Sequence, residues 1–380
     1  MPEETKYDAI IIGTGQGGKP LAGALASDGW NTAVIEQKYV GGSCINYGCT
    51  PTKTMVASAR AAYMAHQAGE LGVNVSNVSV NLPDIVKRKE SIVKSFRESG
   101  RESLMETDNL DLIFGQASFV DKYRIKIDLN NGGSQIVTSD HIIINTGAKP
   151  VIPPIDGLDS IDYLDSTLIM ELQDLPEHLI VLGGGYVGLE FGQMFKRFGS
   201  KVTIIQRSDQ LLPREDSDVA EEIASILEQD DIDIRLQSEA TAVEKTKSGV
   251  QVTVDENGKE THISGSHLLV AVGRMPNTEP LNLQAAKIET DQKGNILVND
   301  RLETNVTGVY AIGDVKPGPM FTHISYDDYR ILQNNLLKNG SDTILDRMVP
   351  YTVFIDPQLG RVGMTEKEAK QKGIDIRVAK

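Results

Sequence analysis

The chain has 380 residues and a formal net charge of −15 at pH 7, from 53 acidic and 38 basic side chains. At about 150 residues per domain this length predicts two or three domains, and the acidic balance argues against a nucleic-acid partner. The longest apolar runs are too short to cross a bilayer, and no apolar leader precedes the first strand-like residue, Tyr7. Two cysteines in so long a chain are typical of a reducing compartment, so we expect a cytoplasmic protein without a membrane or nucleic-acid partner.

The first predicted elements form a strand–turn–helix–strand unit. Residues 7–12 predict a buried strand, the glycine-rich sequence GTGQGG follows at 13–18, and a helix leads to a second strand at 32–35. A glycine-rich turn alone is weak evidence, but this order of elements is typical of dinucleotide binding. Glu36 ends the second strand, where a carboxylate can accept hydrogen bonds from ribose hydroxyls.

Each glycine of this turn has its own task. Gly13 permits the tight turn, Gly15 lets backbone N–H groups approach a pyrophosphate, and Gly18 lets the helix pack closely on the strand. A carboxylate such as Glu36 would repel a 2′-phosphate. This first unit is therefore predicted to bind an unphosphorylated adenosine.

The only two cysteines of the chain, Cys44 and Cys49, follow this unit. A disulfide closing so short a loop would add little stability through chain entropy, and their spacing is not that of a zinc site. A helix is predicted over 51–68, with Thr50 as its cap and Pro51 at its first position, and the partial positive charge at its start stabilises a thiolate. We therefore predict a redox-active dithiol and no metal site.

Between this unit and the next, the pattern predicts a helix, a hairpin and a buried strand. The predicted elements are a helix over 83–105, a strand over 123–129 with a turn at 131–133, and a buried strand over 142–144. Pro150, Pro153 and Pro154 then mark a crossing between domains.

The strand–turn–helix–strand unit then recurs. A strand over 179–182 leads into GGGYVG at 183–188, and after a helix comes a strand over 201–205. Gln206 occupies the position that Glu36 has in the first unit, because each lies 23 residues after the first glycine of its turn. The chain therefore contains two dinucleotide-binding units of the same spacing.

The residues after the second unit's last strand predict its cofactor. Gln206 has no charge to repel a 2′-phosphate, and Arg207 and Arg214 can bind one bidentately. NADPH is therefore favoured over NADH. Two dinucleotide sites with a dithiol between them in sequence indicate an electron relay, in which a nicotinamide gives hydride, a flavin accepts it and a disulfide receives the electron pair.

Six motifs of the chain resemble, in their order, those of the class I pyridine nucleotide–disulfide oxidoreductases, the family of glutathione reductase, dihydrolipoamide dehydrogenase and mercuric reductase. They are the turn at 13–18, the segment 41–53, Thr146-Gly147, and the segments 183–190, 273–278 and 311–314. Segments 206–208 and 353–357 look most like mercuric reductase. Segment 321–330 looks like a related bacterial branch that detoxifies reactive chlorine species and hypothiocyanite.

The resemblance implies an α/β fold of two Rossmann-like dinucleotide-binding domains, followed by the start of an α+β dimerisation domain. The implied boundaries are a discontinuous FAD-binding domain at 1–150 and 272–346, an NAD(P)H-binding domain at 151–271, and a truncated interface domain at 347–380.

The resemblance also implies roles for single residues. Cys49 would be the thiol against the flavin, Cys44 would attack the substrate, and Lys53 with Glu190 would form an ion pair beside the flavin N5. Tyr186 would close the nicotinamide pocket, although an aromatic ring there could equally be ordinary packing. Tyr47, between the cysteines, departs from the small aliphatic residue often found in the family, and it either shapes access to the dithiol or simply packs.

The implied cofactor contacts are numerous. Those to FAD are Gly13, Gly15, Gly18, Glu36, Gly42, Ser43, Lys53, Gly115, Ala117, Thr146, Gly147, Arg274, Asp314, Met320 and His323. Those to NADPH are Gly183, Gly185, Tyr186, Val187, Gly188, Glu190, Arg207, Arg214 and Gly273. Asp314 would hydrogen-bond the flavin ribityl chain, or it would otherwise cap the next helix.

Two departures from the family limit this expectation. No third cysteine is present and the chain starts at the flavin domain, so we do not expect efficient mercuric ion reduction. The chain also stops at Lys380, before the region that in relatives builds the dimer interface and supplies a His–Glu pair to the partner's disulfide. We therefore expect a fragment or a shortened variant, with a homodimer for the full-length protein and not for this chain.

The expected function is an FAD-dependent oxidoreductase that passes electrons from NADPH through FAD to the Cys44–Cys49 disulfide. The final acceptor would be a small disulfide, a sulfenyl compound or a thiophilic metal ion, and the sequence does not choose among them. The alternatives are an NAD(P)H oxidase or diaphorase, and a flavin- and nucleotide-binding chain without turnover because the His–Glu pair is absent.

Overall fold

The computed structural model describes residues 4–380, which divide into two compact units. Unit 1 comprises residues 4–50, 91–149 and 274–349, and unit 2 comprises residues 51–90, 150–273 and 350–380. Each unit contains a sheet with at least four neighbouring parallel strands, together with helices, which confirms the predicted α/β class with Rossmann-like units.

An eight-stranded sheet forms the centre of unit 1. In spatial order its strands are Glu4–Lys6, Ser134–Thr138, Arg124–Leu129, Leu110–Phe119, Thr32–Glu36, Ala9–Ile12, Ile142–Ile144 and Val309–Ala311. The last five are parallel neighbours, whereas the second, third and fourth are joined by antiparallel pairing. The strand Ala9–Ile12 is buried along its whole length because parallel strands are covered on both faces.

The helices of unit 1 lie around this sheet. They are Gly18–Ser27, Gly42–Asn46, Leu283–Ala286 and Thr322–Leu337, with 3₁₀ turns at Glu279–Leu281 and Gly313–Val315. Two longer helices, Cys49–Gln67 and Leu82–Met105, contain residues of both units. The short strands Ala148–Pro150 and Arg274–Pro276 pair with each other.

Unit 2 contains a four-stranded parallel sheet and a three-stranded antiparallel sheet. The parallel strands are, in spatial order, Asp233–Arg235, Lys201–Ile205, His178–Leu182 and His267–Val270. The antiparallel strands are Ser238–Thr246, Gly249–Glu256 and Lys259–Gly265. The remaining elements are the helices Tyr186–Phe198, Ser217–Gln229 and Glu366–Gln371, the 3₁₀ turns Ala68–Leu71, Leu158–Ser160 and Leu168–Glu171, and the hairpin of Tyr351–Val353 and Leu359–Arg361.

The predicted elements are present to within a few residues, with one correction. The helix after the dithiol begins at Cys49, so Thr50 and Pro51 are its second and third residues, and the predicted capping by Thr50 is wrong. Pro51 does not prevent the earlier start, because the first four N–H groups of a helix have no acceptor within the helix. Cys49 itself therefore lies at the positive end of the helix.

Two features are absent from the part of the chain that the structure describes. None of the helices within residues 4–380 has the length and apolar character that crossing a membrane requires. Over the same residues, no three histidine, cysteine or acidic side chains are grouped so that they could hold a metal ion.

Candidate functional site

The first glycine-rich turn forms a tight backbone cradle in unit 1. Gly13 has φ +103°, and a Cβ atom there would lie 2.4 Å from the carbonyl oxygen of Asn145. A Cβ atom on Gly18 would lie 2.2 Å from the carbonyl oxygen of Gly13. Any side chain at either position would therefore open the turn, as predicted for the glycines of a dinucleotide-binding unit.

Glu36 lies at the end of the second strand and contacts this cradle. Its Oε2 atom accepts hydrogen bonds from the N–H of Thr14 at 3.2 Å and from the hydroxyl of Thr14 at 2.5 Å. Its Oε1 atom accepts one from the N–H of Lys38 at 2.9 Å. The backbone thus holds a carboxylate beside the turn, where the sequence predicts a ribose contact.

The cysteine segment packs directly on the cradle. Gly42 has φ +63°, and a Cβ atom there would lie 2.6 Å from the Cα of Gly15, while the N–H of Gly41 donates to the Thr14 hydroxyl at 3.1 Å. Cys44 lies inside the short helix Gly42–Asn46 and is partly buried, whereas Cys49 is exposed. Within unit 1, the dithiol and the first glycine-rich turn therefore form one continuous site.

Cys49 also meets a second helix of unit 1. Its sulfur lies 3.2 Å from the hydroxyl of Thr322, which is the first residue of the helix Thr322–Leu337. Because Cys49 is itself the first residue of a helix, two helix amino termini with their partial positive charges lie at one sulfur. Partial positive charge of this kind is the environment that in general favours a thiolate over a thiol.

Asp314 and the residues around it form a polar corner of unit 1. Burial raises the pKa of Asp314, while Arg274 and Lys316 act in the opposite direction and the nearby Cys49 sulfur adds to the rise. The following helix contributes Asp328, which is completely buried and accepts a hydrogen bond from the N–H of Gly313 at 2.9 Å.

Two cations compensate the buried charge of Asp328. Lys316 Nζ lies 3.1 Å from its Oδ2 atom, and Arg347 donates to its Oδ1 atom at 2.6 Å. Burial lowers the pKa of Lys316, and the carboxylate of Asp328 opposes that change. This network fixes the turn that presents Asp314.

The residues of unit 1 fit a flavin dinucleotide. The glycine cradle leaves room for a pyrophosphate at backbone distance, and Glu36 lies at the strand end beside it. The hydroxyl of Thr146 is buried and has no hydrogen-bond partner among the described residues 4–380, so it can pair with a bound group. The pKa of Asp314 is raised by burial, as expected of a carboxyl group placed to meet a polar ligand and not bulk water.

The second glycine-rich turn repeats the cradle in unit 2. Gly183 has φ +109°, and a Cβ atom on Gly188 would lie 2.0 Å from the carbonyl oxygen of Gly183. The N–H of Gly184 donates to Oε1 of Gln206 at 2.8 Å. Gly185 precedes the helix Tyr186–Phe198, and a Cβ atom there would meet nothing within 4 Å, so this side of the turn is open to a ligand.

The basic residues predicted to choose the nucleotide lie on the surface of unit 2. Arg207 and Arg214 are both exposed, and Arg207 lies 3.6 Å from Glu239 in a surface ion pair. Such a pair has little stability value, so Arg207 is available to an incoming phosphate. Tyr186, at the first position of the following helix, has 37% of its surface exposed and is not part of the core.

Lys53 and Glu190 are brought together within unit 2. Lys53 Nζ lies 2.7 Å from Glu190 Oε2, and the other carboxylate oxygen accepts a hydrogen bond from the N–H of Phe354 at 2.9 Å. The ammonium group also lies 4.6 Å from the centroid of the Phe354 ring. Glu190 is 6% exposed, so its charge needs this pairing, and both residues line a cavity of about 250 Å³.

The remaining predicted residues occupy varied positions. Gly115 and Ala117 lie in the strand Leu110–Phe119, where a Cβ atom on Gly115 would meet the carbonyl oxygen of Asp128 at 2.6 Å. His323 is exposed and stacks on Phe321 with ring centroids 5.4 Å apart. The others are Ser43, which is exposed; Gly147 and Gly273, which have positive φ; Arg274, which donates to the carbonyl of Ala148; Met320, which is partly buried; and Val187, which packs against the core of unit 2.

Three contacts of this site were not predicted from the sequence. They are those of Thr322 with Cys49, of Phe354 with Glu190, and of Arg97 with Asn46. The first two had a weak signal, since both partners lie in motifs that the sequence had singled out. Arg97 had none, because it lies in the helix Leu82–Met105, outside every motif of the sequence.

Comparison with known proteins agrees with this geometry. Residues 7–328 match the family described as pyridine nucleotide-disulphide oxidoreductase, and residues 349–380 match the dimerisation domain of the same family. The chain belongs to this family. The predicted membership and enzyme class are therefore confirmed: the protein is an FAD-containing oxidoreductase that uses a pyridine nucleotide.

Several members of the family are similar over almost the whole chain. The chain is 41% identical over 377 residues to the probable pyridine nucleotide-disulfide oxidoreductase RclA of Escherichia coli K12, covering 98% of this chain and 80% of that protein. It is 35% identical over 373 residues to a mercuric reductase of Staphylococcus aureus, covering 98% and 67%. A solved structure, the HOCl-induced flavoprotein disulfide reductase RclA from Escherichia coli, superposes with a TM-score of 0.87 at 39% identity, covering 98% and 80%.

Proposed function

We propose that this FAD-dependent disulfide oxidoreductase takes electrons from NADPH and delivers them through the Cys44–Cys49 dithiol. The observation that supports this most directly is the packing of the cysteine segment on the first glycine-rich turn, with Gly42 against Gly15. That contact places the dithiol next to the cradle that would hold FAD. When bound, FAD accepts hydride from a nicotinamide and supplies an electron pair to a disulfide.

The residues of unit 1 would hold FAD and manage the thiols. The turn Gly13–Gly18 would receive the pyrophosphate, Glu36 the adenosine ribose, and Asp314 the ribityl chain. Cys49, at two helix amino termini and 3.2 Å from the Thr322 hydroxyl, would remain a thiolate after reduction. Cys44 would be the thiol that attacks the acceptor.

Unit 2 would bind the nicotinamide nucleotide and hold a charge pair. The second turn would bind the pyrophosphate of NADPH, with Arg207 and Arg214 on the 2′-phosphate. Lys53 would pair with Glu190, whose position the N–H of Phe354 fixes. We assign the FAD-binding domain to 1–150 and 272–346, the NADPH-binding domain to 151–271, and the start of the interface domain to 347–380.

The proposed acceptors follow from the chemistry of a dithiol. A thiolate pair can reduce a small disulfide or a sulfenyl compound, and it can also bind and reduce a thiophilic metal ion. Similar proteins are described as mercuric reductases and as an HOCl-induced flavoprotein disulfide reductase that was also solved as a Cu(II) complex. We also propose that the protein acts in the cytoplasm as a homodimer, and the match of residues 349–380 to a dimerisation domain supports the homodimer.

An anaerobic titration with NADPH tests the relay. We expect uptake of two electron pairs and a long-wavelength absorption band from the Cys49 thiolate. Cys44→Ser should abolish acceptor reduction and keep the band, whereas Cys49→Ser should lose the band, so the two single substitutions control for each other. Uptake of one pair without the band would contradict the proposal and favour an NAD(P)H oxidase.

A charge reversal tests the nucleotide preference. Arg207→Glu should weaken NADPH binding at least tenfold, about 1.4 kcal/mol, and leave NADH binding unchanged. Lys245→Glu is the matched control, because Lys245 is another exposed cation of unit 2 in a surface ion pair. Equal NADPH affinity in both variants would refute the assignment of the 2′-phosphate to Arg207.

A further inference from the structure

Arg97 reaches from the helix Leu82–Met105 to the turn that separates the two cysteines. Its Nε–H donates to Oδ1 of Asn46 at 2.8 Å, and its guanidinium lies 3.8 Å from the centroid of the Tyr39 ring. All three residues belong to unit 1. None of them has a role in the cofactor contacts or the electron path described above.

Asn46 is the centre of this arrangement. It is 7% exposed, and its amide group donates to the carbonyl oxygens of Tyr39, Val40 and Gly42 at 3.4, 3.1 and 2.9 Å. The segment 39–40 follows the strand Thr32–Glu36. One buried side chain therefore links this segment to the short helix that contains Cys44. Arg97 binds the oxygen atom of the same amide group and so fixes the orientation of the Asn46 side chain.

Further side chains pack around Tyr39, next to Arg97. The rings of Tyr39 and Tyr47 lie 6.5 Å apart, and Lys38 Nζ lies 5.2 Å from the first and 6.0 Å from the second. Gly100, one turn after Arg97, lies beside Val40, since a Cβ atom there would be in ordinary van der Waals contact with a methyl group of Val40 at 3.4 Å. Tyr47, whose role the sequence left open, thus packs within this group.

We propose that Arg97 is a positioning residue that sets the redox equilibrium of the Cys44–Cys49 pair. The proposal rests on the proposed function only in treating these cysteines as a redox dithiol. Held at Asn46, the turn between the sulfurs has few conformations, so the two thiols meet with a high effective concentration. Freed from Arg97, the reduced turn would gain more conformational freedom than the oxidised turn, which the disulfide already restrains.

The equilibrium with glutathione measures this difference. One sulfur–sulfur bond forms between Cys44 and Cys49 while the bond of glutathione disulfide breaks, and the two thiol protons end on two glutathione thiols. The reaction proceeds through a mixed disulfide and leaves the number of electrons and protons unchanged. It needs no turnover of the flavin, so it does not depend on the acceptor that the enzyme uses.

The experiment equilibrates the holoprotein in glutathione buffers, traps the thiols with a maleimide and counts them by mass. We expect Arg97→Lys, which keeps the charge but cannot both stack on Tyr39 and donate through a planar Nε–H, to favour the dithiol at least tenfold. This corresponds to a potential about 30 mV less negative than in the wild type. Tyr39→Ala should shift the equilibrium in the same direction, and Tyr39→Phe, which keeps the ring, should not.

Arg101→Lys is the matched control, since Arg101 lies one turn further along the same helix with its guanidinium 5.6 Å from the Phe114 ring. It should leave the equilibrium unchanged. If Arg97→Lys and Tyr39→Ala both stay within threefold of the wild type, or if Arg101→Lys shifts equally, the positioning role is refuted. A wild type that forms no Cys44–Cys49 disulfide in any buffer would instead refute the proposed relay, and this proposal with it.

Discussion

Gln206 accepts a hydrogen bond from the N–H of Gly184 at 2.8 Å, and the two residues are 22 positions apart. Glu36 and Thr14 are related by the same offset, with the N–H of Thr14 donating to the carboxylate at 3.2 Å. The two units therefore hold the side chain at this strand end in the same way. They differ in its charge, which is a carboxylate in unit 1 and a neutral amide in unit 2.

This difference predicts that Gln206→Glu shifts the nucleotide preference from NADPH towards NADH. The carboxylate would still accept from Gly184, but it would repel a 2′-phosphate and offer a second acceptor to a ribose diol. We expect the ratio of kcat/KM for NADPH over NADH to fall at least tenfold. Gln229→Glu, at an exposed helix end of the same unit, adds the same charge as a control and should leave the ratio unchanged.

Thr322→Val should lower the reactivity of Cys49. The substitution keeps the shape of the side chain and removes the hydroxyl that lies 3.2 Å from the sulfur. A hydrogen bond to a charged group contributes about 1.5–3 kcal/mol, so we expect at least a tenfold slower alkylation by iodoacetamide at neutral pH. The rate is measured in a Cys44→Ser background, where Cys49 is the only thiol. Thr322→Ser keeps the hydroxyl, and equal rates for the valine and serine variants would show that it does not stabilise the thiolate.

The sequence predicted the elements that depend on local pattern. The helix Tyr186–Phe198 ends where Gly199 takes φ +116°, and the strand Lys201–Ile205 has the bounds that its apolar run indicated. The sequence predicts too late a start for the helix Cys49–Gln67, because it favours Pro51 at the first helical position. A proline is also tolerated at the third position, and the sequence alone does not distinguish the two.

The sequence predicts the residues of the candidate site that belong to family motifs. It does not predict which residues from distant segments contact one another. Lys53 and Glu190 are 137 positions apart, and only the resemblance paired them. Cys49 and Thr322 are 273 positions apart, and Asn46 and Arg97 are 51 apart. No periodicity relates such pairs, because their approach follows from the packing of whole helices.

Lys53→Met should destabilise the protein more than loss of an exposed ion pair does. Glu190 is 6% exposed and, among the described residues 4–380, would keep the N–H of Phe354 as its one hydrogen-bond partner, so its desolvated charge would be poorly compensated. Because the Lys53 side chain is itself 32% exposed, we expect a loss of about 2 kcal/mol, below the 3–5 kcal/mol of a fully buried pair. Urea unfolding followed by circular dichroism measures the loss.

Lys196→Met is the control for this prediction. Lys196 Nζ lies 2.7 Å from Asp231, as close as Lys53 lies to Glu190, but the Asp231 side chain is 94% exposed. Its removal should change the free energy of unfolding by less than about 0.5 kcal/mol. Similar losses in the two lysine variants would mean that the burial of Glu190 has no energetic consequence.

His178 and His267 should make unit 2 less stable as the pH falls below 6.5. Burial lowers the pKa of both side chains from their ordinary value of 6.5, and Lys201 adds to this effect at His178. The unfolded chain therefore takes up protons at a higher pH than the folded chain. Below pH 6.5 the unfolded state binds more protons, so stability is fully present above that pH and decreases as the pH falls towards the folded pKa values.

His178→Asn should reduce this loss of stability between pH 7 and pH 5.5. The substitution removes a group that must be buried in its neutral form, although it also perturbs the contact with the hydroxyl of Thr203 at 2.9 Å. The quantity to compare is therefore the change in unfolding free energy with pH and not its value at one pH. His262→Asn is the control, because His262 is exposed in the antiparallel sheet of the same unit and should keep the wild-type slope. A wild-type slope in the His178 variant would mean that this histidine titrates alike in the folded and unfolded chains.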